Sequence, residues 1–273
     1  MTDARGMWHL LEPVHSITYF AAEARTEYES AGLRGFWRCY FAGRATPLGT
    51  RSAPVVAGVF QTFAPAFVAR AIPAIYDLIT PEDALRVRLD GATAGLRRIL
   101  VGQDAEVGKA AELLSQAIEQ LDCGGRPLAA ANAALPVPPD PFARLWHTAT
   151  VLREHRGDGH FDALTAACFD GCEANVLRNG IDLGGEAAPP QRGWTDEQWQ
   201  AAQARLADRG LLDQDNRVTT AGREAYDAVE TATDRAAARP WDRLDAVATA
   251  NLVSALTPIT QACEAAIKAD RSQ

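Results

Sequence analysis

The sequence predicts a mostly α protein of two pseudo-repeated halves, each a helical layer joined to a winged-helix-like unit. Three observations carry that expectation. Alanine is abundant and aromatic residues make up only 7% of the chain, a balance that favours helix over sheet. Helix starts and stops recur, as in Thr80-Pro81-Glu82-Asp83 and in Thr195 with Gln198 and Gly210. Finally, His15-Ser16-Ile17-Thr18 and His147-Thr148-Ala149-Thr150 occupy matching places early in two proline-started helices, with more helix and then glycine after each.

The first helix is expected to start at Pro13, behind Glu12, and to carry His15, Ile17, Tyr19 and Phe20. Proline suits the first helical position because the N–H it lacks has no partner there. A second helix covers Glu23 to about Ser30, with Gly32 as its stop. The third runs from Leu33 to Ala42 and is unusually aromatic, holding Phe36, Trp37, Tyr40 and Phe41. Residues 54–61 and 65–71 read as two short helices. Thr80 then caps a helix that reaches about Ile99, and another spans about Ala105 to Leu121. The run Leu135-Pro136-Val137-Pro138-Pro139-Asp140-Pro141 is stiff and extended. It divides the chain into an N-terminal half over residues 1–125, a Pro/Ala-rich linker over 126–140, and a C-terminal half over 141–273.

The second half opens with a helix through Trp146, His147 and Leu152, broken at Arg156-Gly157-Asp158-Gly159. A helix from about His160 to Leu177 follows, with Cys168 and Cys172 one turn apart. Gly184-Gly185 and Pro189-Pro190 mark a loop. Thr195 and Gln198 form a capping box for a helix to Arg209, and Gly210 is its left-handed stop. Leu211-Leu212, a polar tip at Asp213 to Asn216, and Arg217-Val218-Thr219 read as a two-stranded wing before a long helix through Tyr226 and Val229. The matching unit of the first half is Phe63 through Leu96, where residues around Pro73 replace the hairpin.

Charge narrows the functions. The formal charge of −8 disfavours a general nucleic-acid binder, which needs a surplus of Lys and Arg on one face. No apolar run reaches the ~18–20 residues that cross a bilayer, so no membrane is expected. The N-terminus lacks a signal-peptide pattern, and five scattered cysteines make no disulfide framework. A cytoplasmic location follows as the expectation. Oligomeric state and cofactors leave no sequence signal, and no P-loop, GxGxxG after a strand, GxSxG or HExxH occurs.

Two stretches resemble a known family. They are Leu11-Glu12-Pro13-Val14-His15 with Gly32 through Arg38 and Ala42 through Ala45, and Leu145-Trp146-His147 with Arg153 through His160. Together they resemble the SalK-like helix-turn-helix family of actinobacteria, over nearly the whole chain. The resemblance implies a winged helix of the MarR-like kind and implies no particular chemistry.

The histidines His15 and His147 are the candidate catalytic residues, since neutral imidazoles can accept a proton near pH 7. Ordinary helix histidines bonded to neighbours are the competing explanation. A pair of histidines falls short of a zinc site, so no metal is expected. The ligand-binding candidates are Tyr19, Arg34, Trp37, Arg38, Tyr40, Arg44 and Arg153. Guanidinium forks beside aromatic rings suit a planar or carboxylate-bearing molecule, although arginine stems also cover apolar helix faces. The expected function is a small-molecule-binding protein, extending to an enzyme that uses His15 or His147 for proton transfer. The alternative is a winged-helix DNA-binding regulator, which the acids Asp196, Glu197 and Asp208 on the pre-wing helix disfavour.

Overall fold

The structure, a computed structural model, describes residues 3–182 and 192–271, so the expected Gly184-Gly185 and Pro189-Pro190 loop lies outside the described residues. These form thirteen α-helices with short 3₁₀ turns and no strand. The mostly α expectation holds. The helices separate into two compact units. One comprises Met1–Thr50, Pro73–Asp158 and Asp234–Gln273, the other Arg51–Ile72 and Gly159–Thr233.

In the first unit, α1 (Ala4–Phe20) starts at an Asp3 cap, not at Pro13, which sits inside the helix. The hydrogen bond that Pro13 cannot donate belongs to His9, on the exposed side. Met7, Leu11, Val14 and Ile17 bury the other side, and that burial outweighs the loss. Helices α2 (Ala22–Ser30) and α3 (Phe36–Ala45) follow. The short α4 (Ala53–Val59) and α5 (Pro65–Val68) belong to the second unit.

Helix α6 (Pro81–Ile99) begins as expected, Thr80 accepting from the Asp83 N–H at 3.1 Å. It packs along α2 so closely that a Cβ on Gly91 would lie 2.6 Å from the Ala24 Cα. Helix α7 (Asp104–Ile118) comes next. The stretch read as linker holds a further helix, α8 (Pro127–Ala133). Asp158, from another element, accepts from the Ala129 N–H at 2.9 Å and so caps it.

Helix α9 (Pro141–Ala166) runs unbroken through Gly157 and Gly159. The expected break is absent because Leu152, Glu154, His155 and Asp158 are buried there, and tertiary packing outweighs about 1 kcal/mol of helix propensity per glycine. The apolar core of this unit joins α1, α6, α7 and α9 to the C-terminal α13 (Ala246–Arg271), with Trp146 and Trp241 inside it.

In the second unit, the turn after α9 is closed by Cys168 at φ 57°. Cys168 is therefore in a turn and exposed, while Cys172 is buried on α10 (Gly171–Asp182). Asp170 and Glu173 exchange bonds with each other's backbone N–H, a capping arrangement unread in the sequence.

Helix α11 (Asp196–Asp208) carries the capping box of Thr195 and Gln198. Gly210, at φ 71°, ends it, and the Leu211 N–H returns to the Leu206 carbonyl at 2.9 Å. The wing is reduced to one antiparallel bridge, Leu212 with Val218. Helix α12 (Thr220–Ala236) then leads back toward the first unit's chain. Trp199, Leu206, Leu211 and Val229 bury this unit's core.

Candidate functional site

Helices α1, α3 and α9 bring a set of ionisable side chains together inside the first unit. Glu12, His15 and Tyr19 follow one another at helical spacing on α1 and share a face. Tyr40 and Arg44 do the same on α3. Thr150, Arg153 and Glu154 come from α9.

His15 is buried, with Nδ1 3.0 Å from the Thr150 Oγ1 and Nε2 2.8 Å from the Tyr19 hydroxyl. Both partners are hydroxyls, which donate or accept, so either neutral tautomer satisfies both ring nitrogens. The Arg44 guanidinium donates to both Glu154 oxygens, at 2.8 and 2.7 Å, and to the Tyr40 hydroxyl at 2.7 Å. Arg153 donates to Glu12 at 2.9 Å and to Glu154 at 3.1 Å. Two guanidinium groups thus face two carboxylates in a forked chain.

Burial alone would raise the Glu12 carboxyl, but Arg153 overrides it and holds the group at about 2. Glu154 is likewise held well below the carboxylate range by Arg44 and Arg153 against the effect of burial. Burial, reinforced by Arg153, lowers His15 to about 3, so the ring is neutral at pH 7. Burial also keeps the Tyr19 hydroxyl protonated well beyond its usual range.

Beside this polar floor stands an aromatic wall. Tyr19 and Tyr40 have ring centroids 4.9 Å apart, Phe20 and Phe36 5.8 Å, and Trp37 and Tyr40 5.5 Å. Phe36 is 44% exposed and the other four are partly buried. Stacked and edge-on rings that stay partly exposed suit a planar ligand, while the tyrosine hydroxyls bond into the charged floor. A separate small recess, about 250 Å³ including space open to solvent, adjoins Arg153 and is lined by Trp8, Leu11, Arg156 and Trp241.

Of the residues singled out in the sequence, His15, Tyr19, Tyr40, Arg44 and Arg153 therefore meet in one network, with Trp37 at its aromatic edge. Arg34 precedes α3 and Arg38 lies on its exposed side. His147 is buried on α9, lowered to about 4 by burial and by Arg88, and its Nε2 has no hydrogen-bond partner. Glu12, Thr150 and Glu154 are members the sequence reading passed over. Glu12 sits one turn before His15, and Glu154 lies just ahead of the break expected at Arg156.

In the second unit, the exposed side of α11 carries Asp196, Glu197 and Asp208. Arg205 on α11 and Arg209 at its end are both exposed and bond groups of the same unit. Arg205 bonds Glu173 at 2.8 Å and Asp170, and Arg209 bonds the Cys168 carbonyl at 3.0 Å. At the wing tip Arg217 pairs with Asp215 at 3.0 Å. Phosphate contacts would compete with these bonds.

Among the described residues, no three His, Cys, Asp or Glu side chains gather as metal ligands, and no helix is long and apolar enough to cross a membrane. A family model described as a helix-turn-helix family matches residues 4–269. No curated protein and no solved structure matches the chain.

Proposed function

This chain belongs to the helix-turn-helix family, and from that premise we propose that its working site is the aromatic-walled network of the first unit, where it binds a planar small molecule. The carrying observation is that five partly exposed rings border a buried His–Tyr–Arg–Glu network on the same helices. Charged groups in that network are already matched, two guanidinium groups against two carboxylates. The ligand that fits is therefore an uncharged or internally balanced ring compound whose polar edge exchanges hydrogen bonds with Tyr19 and Tyr40. In an enzymatic extension, neutral His15 accepts the Tyr19 hydroxyl proton while Tyr19 takes one from the ligand, a transfer that burial and Arg153 make costly. The SalK-like grouping inferred from the sequence fits this reading and adds no chemistry to it.

A ligand-observed NMR screen of planar ring compounds against the full chain tests the reading. Hits should lose at least tenfold in affinity with Phe36→Ala and with Tyr40→Phe. Hits that bind both variants as tightly as the parent would sink it.

A DNA-binding regulator is the second reading. The family membership and the helix, reduced wing and helix of the second unit favour it. The acidic face of α11 opposes it. A low-salt mobility shift with mixed-sequence duplex separates the two readings, because salt-sensitive retention is expected of the regulator and not of the ring-compound site.

A further inference from the structure

Two hydroxyls and an imidazole stand in a row inside the first unit. The His15 ring lies between Thr150, 3.0 Å from Nδ1, and Tyr19, 2.8 Å from Nε2. Thr150 on α9 is 2% exposed and His15 on α1 is 1% exposed, whereas Tyr19 is half-buried among the partly exposed rings of the wall. His15 is neutral at pH 7, so the row carries one proton on each hydroxyl and one on the ring. Only two links join these three groups. One proton is therefore always left over, and it leaves the row at one end or the other.

The two ends are not equivalent. If Nδ1 keeps the ring proton and donates to Thr150, the Thr150 hydroxyl must turn its own proton into the core. Among the described residues nothing else accepts it: the Thr148 hydroxyl reaches the Arg144 carbonyl at 2.8 Å, but Thr150 makes no bond of that kind. A buried donor without an acceptor has given up its water and gained nothing in return. If instead Thr150 donates to Nδ1, the ring proton sits on Nε2 and is given to the Tyr19 oxygen. The surplus proton is then that of Tyr19, at the exposed end of the row. Tyr40 beside it is held in the same sense, its oxygen accepting from Arg44 at 2.7 Å.

We propose that Thr150 fixes the His15 proton on Nε2, so that Tyr19 presents an O–H donor to the aromatic wall and selects ring compounds that bring an acceptor there, a ring carbonyl oxygen in place of an N–H or hydroxyl donor. Thr150 is a positioning residue, acting on a ligand only through His15 and Tyr19. The ligand class rests on the ring-compound site proposed above, whereas the proton order belongs to the chain alone. A protonated Nε2 also cannot take the Tyr19 proton, so the enzymatic extension would first require the ring to change tautomer.

The test starts with the full chain free of ligand, by recording the ¹⁵N resonances of the His15 ring at pH 7. Nδ1 is expected at the position of a bare nitrogen and Nε2 at that of a protonated one. Thr150→Val keeps the volume and removes the donor, and should draw the two resonances together as both tautomers fill. Thr150→Ser should restore the parent pattern. Ligand-observed NMR then compares fluorenone with carbazole, flat tricyclic compounds that offer an acceptor and a donor respectively. The parent and Thr150→Ser should bind fluorenone about fivefold more tightly, the worth of one neutral hydrogen bond, and Thr150→Val should show little preference. A proton on Nδ1 in the parent overturns the proposal, even where Thr150→Val does not fold; so does a folded Thr150→Val with parental resonances. Equal or stronger binding of carbazole, or binding of other ring compounds but neither of these, overturns the ligand class and leaves the wall a binding site. If no ring compound binds, the ligand class and the wall fall together.

Discussion

Glu154 accepts from Arg44 twice and from Arg153 once while almost fully buried, so its carboxylate neutralises charge at the centre of the network. Glu154→Gln keeps the shape and removes the charge from the carboxylate that Arg44 and Arg153 share, while Arg153 keeps Glu12. A loss of about 3–5 kcal/mol is expected in urea unfolding, the usual cost of breaking a buried pair from one side. Acid should weaken the same region. His15, His147 and His155 are lowered to about 3, 4 and 4, so below pH 6.5 the unfolded chain takes up protons that the folded chain refuses. Stability therefore falls as pH drops from 6.5 toward 4, on the order of 1–2 kcal/mol per histidine by pH 5. Asp158 works in the opposite sense: raised to about 7 by burial, it loses stability as pH rises from 3.8 toward 7. A series of urea melts from pH 7 to pH 4.5 reads the net, and a flat profile would remove the buried-histidine account. The histidine and arginine members of the network were legible because their residue types are conspicuous at helical spacing. Its carboxylates were not, because nothing in a sequence distinguishes a buried glutamate from the many that face water.

At the level of elements, caps were the readable feature. Thr80, Thr195 with Gln198, and Gly210 end or begin helices where local chemistry alone demands it. Gly210→Ala meets no neighbour within 4 Å, so only its φ of 71° is strained, and a loss of about 1 kcal/mol is expected. Gly91→Ala differs in kind. Its new methyl would collide with the Ala24 backbone and force α6 away from α2, at about 1–3 kcal/mol with no change in helix content by circular dichroism. If Gly91→Ala proves neutral or stabilising, the close approach of the two helices is wrong. Local rules failed where packing overrode them, at Pro13 inside α1 and at Gly157 and Gly159 inside α9. The helix in the proline-rich stretch was hidden for a related reason, since its first amides are satisfied by a residue from elsewhere in the chain.

Across the whole molecule, charge decides between functions more sharply than fold does. Replacing Asp196, Glu197 and Asp208 with lysine moves the formal charge from −8 to −2, six units gained by three acids becoming three bases. Duplex retention at about 50 mM salt should appear or strengthen in that variant, with affinity falling steeply as salt rises. An unchanged mobility shift would mean that α11 does not face DNA at all. The overall helical class followed from composition. The grouping into units did not, because each unit gathers segments that lie far apart in the chain, and such assembly depends on which apolar faces find one another.

The bond from Asp158 to the start of α8 has a consequence for the order in which the chain acquires its structure. Seven residues are too few to nucleate a helix in water, so α8 has little reason to form on its own. Its cap arrives from a side chain 29 positions downstream. The segment should therefore stay unformed until α9 has docked, joining after the rate-limiting barrier. Substitutions in α8 would then speed unfolding and leave the refolding rate nearly untouched.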